Sequence, residues 1–261
     1  MIVGVLKEIK TEENRVAMTP AGVEVLKQNH HQVLVEKNAG AGSGFDDRVY
    51  TASGAEIVKT AREIYERAEM VMHVKEPLPE EYALLREDQI IFTYLHLAAM
   101  KKLTAVLVKS RSICIAYETI QKADGSLPLL MPMSEVAGRM SILKGAQYLE
   151  IACGGTGVLL GGVPGVEPAT VLVLGGGIVG TNAAKMACGL GAKVYLMDAS
   201  LPRLHYLSDI MPPNCFLVAS SPENIRRIIR EADVVIGSVL IAGTKAPRLV
   251  TRDMLKTMKK G

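Results

Sequence analysis

Three glycines in the second half of the chain have the spacing of a dinucleotide-binding turn. Gly175, Gly177 and Gly180 follow directly after the apolar run TVLVL. In such a turn the first glycine permits a sharp bend, the second lets the backbone approach a pyrophosphate, and the third lets helix and strand pack closely. The amides of the helix N-terminus then attract the phosphates. With 24 glycines in the chain, the spacing alone is weak evidence, but the preceding strand and following helix are the context that this motif requires.

An acidic residue further along the chain supports the same interpretation. Asp198 lies 18 residues after Gly180, at the end of the next apolar run. A carboxylate in this place accepts hydrogen bonds from the ribose hydroxyls and would repel a 2′-phosphate, which favours NAD over NADP. Arg203 favours NADP instead, because a nearby arginine can accept a 2′-phosphate. A glycine-rich turn without any ligand is the structural alternative.

Four titratable residues in the first half are candidates for a substrate site. Lys75 follows MVMHV, His96 follows IIFTYL and Glu118 follows ICIAY, while Arg15 lies in the charged loop KTEENR. Because ligands of open α/β sheets bind outside the carboxyl ends of the strands, we expect these groups to share one crevice. Each has a structural alternative: Arg15 and Lys75 could be solvated charges, and His96 could be a core histidine. The residues alone do not assign a reaction.

The candidate site residues can be held at strand ends only by a parallel α/β framework. The pattern of apolar residues predicts such a framework. In the first half it predicts strands at 1–6, 32–36, 70–74, 89–94 and 112–116, and helices at 21–29, around 61–68 and at 101–109. In the second half it predicts strands at 170–174, 193–197, 215–219 and 233–236, and helices at 134–150, 181–190 and 223–231. Thr19 and Ser134 have the character of N-cap residues, and Pro20 suits the first helical position.

The segment KADGSLPLLMP, with its turn signal and two prolines, suggests a domain boundary. We predict a substrate domain over 1–128 and a dinucleotide-binding domain over 129–261, with a connecting helix at about 134–150. The fold class is therefore α/β, with two Rossmann-like domains built on parallel sheets. The second domain shows four strands where a complete dinucleotide-binding fold has about six, so we interpret it as an incomplete one.

Composition excludes several other classes of protein. Hydrophobic residues make up 49% and charged residues 22% of the 261 residues, unlike a disordered or fibrous chain. The net charge is only +3 and the basic residues are scattered, so we expect no nucleic-acid partner. Glycine and proline interrupt the long uncharged runs, so we expect no membrane span. The four cysteines lack metal-ligand spacing, so we expect no metal. We also expect a cytoplasmic location.

Longer motifs carry a family resemblance. The chain resembles the alanine dehydrogenases over essentially its whole length. The matching segments include GVLKEIKTEENRVAMTPAGV, HVKEPLPEEY, FTYLHLA, AYETIQ, LPLLMPMSEVAGRM, LLGGVPGVEPATVLVLGGGIVGTNAAKMA and ADVVIGSVLIAGTKAPRLVT. Their order and spacing match the family.

The resemblance implies reversible, NAD-dependent oxidative deamination of L-alanine to pyruvate and ammonia. It assigns Arg15 and Lys75 to the substrate carboxylate and carbonyl, His96 to general acid–base catalysis, and Glu118 to a supporting role. A histidine suits proton transfer because its charge changes near neutral pH. The resemblance also implies a homo-oligomer, which is a hexamer in this family. The cofactor-binding residues that it implies are Ser134, Gly175, Gly177, Ile178, Val179, Gly180, Asp198, Arg203, Ser220, Val239 and Leu240.

Two alternatives remain open. The nucleotide-binding domain of the proton-translocating transhydrogenase α subunit shares the KE…E-x-R-V-A-x-T-P opening, although the intact FTYLHLA with His96 favours a dehydrogenase. A catalytically inactive NAD-binding or oligomerisation protein is the other alternative.

The end of the sequence departs from the family pattern. The family continues past Gly261 with a strand, a catalytic aspartate and helices, and it has a proline where this chain has Lys259. We therefore expect the 261-residue form to be weakly active or inactive, and to aggregate or form a non-native oligomer.

Overall fold

A computed structural model describes residues 1–241 and 246–260 of the chain. It divides the chain into two compact units, Met1–Leu129 (unit 1) and Leu130–Gly261 (unit 2). Each unit contains one parallel sheet with helices packed on it, so the expected α/β class with two Rossmann-like folds is confirmed. No helix within the described ranges has both the length and the apolar character needed to cross a membrane.

Unit 1 is built on a six-stranded parallel sheet with the strand order β3-β2-β1-β4-β5-β6. Its strands are β1 (Ile2–Val5), β2 (Gln32–Glu36), β3 (Glu56–Val58), β4 (Met70–Met72), β5 (Ile90–Thr93) and β6 (Ile113–Ala116). Its helices are α1 (Pro20–Gln28), α2 (Asp47–Ala52), α3 (Ala61–Arg67) and α4 (Lys101–Ser110). The sequence patterns identified all of these elements except α2 and β3.

Both faces of this sheet are covered. Leu34, Val71 and Ile91 are buried with α3 on one face, and Val5, Val33 and Val35 are buried with α1 and α2 on the other. Apolar residues therefore run continuously along the central strands, as in other doubly covered parallel sheets. The predicted cap of α1 is confirmed: the Thr19 hydroxyl accepts a hydrogen bond from Gly22 N, and Pro20 begins the helix.

Unit 2 is built on a four-stranded parallel sheet with the order β10-β7-β8-β9. Its strands are β7 (Thr170–Leu174), β8 (Lys193–Asp198), β9 (Cys215–Ala219) and β10 (Val234–Gly237). Its helices are α5 (Met131–Leu149), α6 (Ile178–Gly189), α7 (Leu201–Ile210), α8 (Pro222–Ile228) and α9 (Arg252–Leu255). All five residues of β7 are buried, so the apolar run before the glycines is the central strand that the sequence predicted.

Two helix starts differ from the sequence prediction by more than one residue. Ser134 is not an N-cap: α5 begins at Met131, and Ser134 lies inside its first turn, donating its amide to Leu130 O. Pro132 permits the earlier start, because the first turn of a helix needs no amide hydrogen at that position. Helix α6 begins three residues before its predicted start, at Ile178, since Gly177 already serves as its N-cap.

Candidate functional site

The four titratable candidates of unit 1 lie at one edge of its sheet. Arg15 follows β1, Lys75 follows β4, His96 follows β5 and Glu118 follows β6. These four strands are consecutive neighbours in the sheet and all run in parallel. The candidates therefore occupy successive positions at the carboxyl ends of the strands, where ligands of such sheets bind.

His96 is held by Glu118 and presents its ring to solvent. Its backbone lies in the left-handed region (φ 51°, ψ 35°), a conformation that costs energy for a residue other than glycine. The Glu118 carboxylate stabilises it by accepting hydrogen bonds from His96 N at 2.6 Å and Leu95 N at 3.1 Å. The His96 side chain is 51% exposed, with Nδ1 4.0 Å from Glu118 Oε1, and it stacks on Tyr94. His96 is therefore not a core histidine.

Lys75 is fixed through its backbone. Its amide donates to Glu8 Oε2 at 3.3 Å, and its carbonyl accepts from the buried Thr93 hydroxyl at 2.8 Å. Glu8 also accepts the amide of Val74 at 2.6 Å. The side chain of Lys75 is half-buried at the end of β4.

Arg15 already holds a carboxylate of the chain itself. Its Nε and Nη2 atoms donate to Glu13 Oε1 and Oε2 at 2.8 and 2.6 Å, which is the paired geometry that a guanidinium makes with a carboxylate. The hydrogen bond from Arg15 lowers the pKa of Glu13 from 4.5 to about 2, and the charge of Lys75 acts in the same direction. The contact expected for a substrate carboxylate is thus made here by Glu13, a residue that the sequence did not single out.

The glycine turn of unit 2 has the local geometry that the sequence predicted for Gly175 and Gly180. Gly175 has a φ of +106°, and a Cβ atom on Gly180 would lie 1.7 Å from Gly175 O. Apart from Gly177 and its two chain neighbours, no heavy atom of the described residues lies within 4 Å of the place where a Cβ on Gly177 would be. Gly177 therefore leaves open space beside the amides at the N-terminus of α6, and helix N-termini of this kind attract phosphate groups.

Asp198 and Arg203 are both bound to this turn. Asp198 Oδ2 accepts from Gly176 N at 2.7 Å, and Oδ1 accepts from Ser200 N at 2.8 Å. The Arg203 guanidinium donates to Gly176 O at 2.7 Å and to Thr181 Oγ1 at 3.1 Å, and it stacks over Tyr206. These contacts hold the Arg203 guanidinium against the turn, where it is already bound to groups of the protein.

The other cofactor candidates lie on elements around the same turn. Ile178 and Val179 form the first turn of α6, and Val239 Cγ2 lies 2.8 Å from the place of a Cβ on Gly175. Ser220 donates its amide to Asp198 O at 2.9 Å, at the end of β9. Leu240 is 62% exposed after β10. Ser134 lies on α5, which packs so closely on α6 that a Cβ on Gly138 would be 2.3 Å from Val179 O.

Comparison with known proteins assigns both units to one family. The model of the alanine dehydrogenase/PNT N-terminal domain matches residues 4–137, and that of the alanine dehydrogenase/PNT C-terminal domain matches residues 141–261. An alanine dehydrogenase from Methanococcus maripaludis is 56% identical over the full 261 residues, and the chain covers 70% of that protein.

Solved structures agree with this assignment. An L-alanine dehydrogenase superimposes with a TM-score of 0.90 at 49% identity, over 99% of this chain and 72% of that one. A transhydrogenase from Sinorhizobium meliloti superimposes with a TM-score of 0.81 at 25% identity, over 99% of this chain and 76% of that one. The chain belongs to the alanine dehydrogenase/PNT family.

Proposed function

We propose that this chain catalyses the reversible, NAD-dependent oxidative deamination of L-alanine. The reaction converts L-alanine, NAD⁺ and water into pyruvate, ammonium, NADH and a proton. The observation that carries the proposal is the row of Arg15, Lys75 and His96 at the carboxyl ends of β1, β4 and β5. That row combines a carboxylate-binding group, a carbonyl-polarising group and a proton carrier in a chain similar to alanine dehydrogenases.

In this proposal, unit 1 binds the substrate. The Arg15 guanidinium binds the substrate carboxylate in competition with Glu13, which holds the same groups in this structure. The Lys75 ammonium donates to the carbonyl oxygen of pyruvate and stabilises the negative charge that develops there. His96, half-exposed and fixed at its backbone by Glu118, carries the proton to and from the substrate oxygen as ammonia adds and water leaves.

Unit 2 binds the dinucleotide in this proposal. Gly177 and the amides at the N-terminus of α6 would hold the pyrophosphate, and Asp198 would accept hydrogen bonds from the adenosine ribose. Ser134, Ile178, Val179, Arg203, Ser220, Val239 and Leu240 complete the cofactor site in the proposal. When bound, NAD supplies the hydride acceptor. We favour NAD over NADP because the Asp198 carboxylate would repel a 2′-phosphate.

A coupled assay of the purified chain tests the reaction. L-Alanine with NAD, and pyruvate with ammonium and NADH, should each give weak turnover, below ordinary enzyme rates, and His96→Ala should abolish it while NADH still binds. His30→Ala is the matched control, because His30 is also exposed and has a positive φ of 61° but precedes β2 at the opposite edge of the sheet. Full activity in His96→Ala, or loss of NADH binding with it, would show that His96 is structural.

The two alternative functions give different results. A transhydrogenase-like nucleotide-binding domain, or an inactive NAD-binding protein, would bind NADH without turning over alanine or pyruvate.

The proposal also includes a homo-oligomer, which is a hexamer in the family. Light scattering coupled to gel filtration measures the oligomeric state of the chain directly.

A further inference from the structure

A buried group of ionisable side chains contacts the backbone of Lys75 through Glu8. It consists of Glu8, His73, Glu81 and Tyr65, which we call the His73 cluster. The side chains of His73, Glu8 and Glu81 are only 2%, 4% and 5% exposed. Charged groups so deep in a protein are stable only when they are paired, and none of these residues was assigned a role above except Glu8, which accepts the Lys75 amide.

His73 lies between the two carboxylates of the cluster. Its Nδ1 is 3.4 Å from Glu8 Oε1, and its Nε2 is 3.0 Å from Glu81 Oε1. The Tyr65 hydroxyl lies 3.2 Å from the same Nε2 atom. Burial by itself would lower the pKa of His73, but Glu8 and Glu81 outweigh that effect and raise the pKa from 6.5 to about 9. At neutral pH the cluster therefore has an imidazolium that forms ion pairs with both carboxylates, the closer one with Glu81, while its Nδ1 makes no hydrogen bond to Glu8.

The Glu8 carboxylate extends the hydrogen bonding between β1 and β4 past the last backbone contact of these two strands. The paired residues of β1 and β4 end at Val5 and Met72, and Leu6 N donates to Met72 O just past them. Farther on, the Glu8 carboxylate accepts the amides of Val74 and Lys75 in place of a main-chain carbonyl. Thr93, from β5, binds the Lys75 carbonyl from the other side. The amide of Lys75 is thus held by Glu8, in the loop after β1, and its carbonyl is held by Thr93, at the end of β5.

We propose that Glu8, braced by His73, is a positioning residue that fixes Lys75 at the substrate site. This inference rests on the proposed function, because it takes Lys75 to contact the substrate carbonyl. Glu8 itself touches neither substrate nor cofactor in this account. Its effect on turnover is indirect: a reacting group displaced by about 1 Å can cost on the order of 100-fold in rate.

Substitution of the two carboxylates of the cluster separates positioning from general stability. Glu8→Ala removes the acceptor for both amides, and Glu8→Gln keeps one oxygen acceptor in the same place. Glu81→Gln is the matched control: Glu81 is equally buried and also binds His73, but the amide that it accepts is that of Leu78. The readouts are kcat/KM for pyruvate, the Kd of NADH, and hydrogen exchange at the Val74 and Lys75 amides.

We expect Glu8→Ala to lower kcat/KM for pyruvate by about 100-fold and Glu8→Gln by about tenfold. Glu81→Gln should stay within about threefold of the unmodified chain, and the Kd of NADH should change less than about twofold in all three variants. The Val74 and Lys75 amides should exchange faster in the Glu8 variants than in Glu81→Gln.

Equal losses of kcat/KM in Glu8→Gln and Glu81→Gln would overturn the proposal, as would unchanged kinetics in Glu8→Gln and Glu8→Ala. If Glu8→Ala does not fold, the comparison of Glu8→Gln with Glu81→Gln decides the question. An unmodified chain without turnover would contradict the proposed function instead. Exchange at the Val74 and Lys75 amides would then decide whether Glu8 holds this segment, and exchange unchanged by the Glu8 substitutions would overturn the positioning role.

Discussion

Two glutamates of unit 1 hold backbone amides at the ends of strands. Glu8 accepts from Val74 and Lys75, and Glu118 accepts from Leu95 and His96. In each pair the second residue is one that we assign to the substrate site. Hydrogen bonds from amides to a charged acceptor are stronger than those between neutral groups. At the residue scale, the site therefore depends on side chains that fix the backbone, as well as on those that would meet the substrate.

His73 should make the folded state less stable as the pH rises above neutrality. Its pKa is about 9 in the folded protein and 6.5 ordinarily, so the full stabilisation is present below pH 6.5. Between pH 6.5 and 9 only the folded state keeps the proton, and the free energy of unfolding should fall by about 1.4 kcal/mol per pH unit. The total change is on the order of 3 kcal/mol.

Urea denaturation from pH 6 to pH 9 measures this dependence. His73→Gln is the comparison, since it cannot hold the proton and should show a flatter profile over the same range. An unmodified chain whose profile matches that of His73→Gln would contradict the protonated state of His73.

Asp198 should give the chain its preference for NAD. The unmodified chain should bind NADH at least about tenfold more tightly than NADPH, since repulsion of about 1.4 kcal/mol suffices for that ratio. Asp198→Gly should reduce the ratio, and Asp198→Asn should do so while retaining an oxygen acceptor for the Gly176 amide. Fluorescence titration of both cofactors measures the ratio. Equal or tighter NADPH binding by the unmodified chain would contradict this role of Asp198.

At the scale of elements, the strand–turn–helix unit of β7 and α6 allows a paired test of its glycines. Gly180→Ala should destabilise unit 2 by several kcal/mol, because the added Cβ would lie 1.7 Å from Gly175 O and the backbone must move. Gly177→Ala should preserve the melting temperature, because its Cβ would meet no described atom within 4 Å, but should weaken NADH binding by filling the pyrophosphate space. Thermal melting and NADH titration together measure both effects. Equal melting temperatures for the two variants would contradict this account of the turn.

Apolar patterning predicted most elements because it reflects burial directly. Strand β7 is buried at every residue, and its bounds match the prediction. The pattern did not reveal α2, β3 or α9, which have six, three and four residues, because a short element offers too little periodicity. It also did not reveal α7, which has ten residues but buries only Leu207 and so shows little apolar periodicity. The start of α5 was misplaced because Ser134 has the chemistry of an N-cap, whereas Pro132 allows the helix to begin earlier.

The site was only partly predictable from the sequence. Arg15, Lys75, His96 and Glu118 could be placed together because strand ends of a parallel sheet share one edge. The pairing of Glu13 with Arg15 was hidden, because a carboxylate in a charged loop has the pattern of a solvated residue. The contact of Glu8 with His73 joins residues 65 positions apart, and no local pattern in the sequence encodes it.

At the scale of the whole molecule, each unit contributes one candidate site. Unit 1 presents Arg15, Lys75 and His96 along neighbouring strands, and unit 2 presents the glycine turn with Asp198. A chain of this family that only bound a dinucleotide would need the second site alone. An alanine dehydrogenase needs both, and its unit 1 site must recognise a carboxylate and a carbonyl in one small molecule.

The melting temperature of the chain in saturating NADH, with and without pyruvate, tests this central claim most directly. We predict that NADH raises the melting temperature, that pyruvate raises it further, and that Lys75→Ala abolishes only the second increase. Propionate, which has the carboxylate but no carbonyl, should give little of the pyruvate effect. An increase with NADH that pyruvate leaves unchanged would contradict the account, because it would identify a dinucleotide-binding protein without the proposed substrate site.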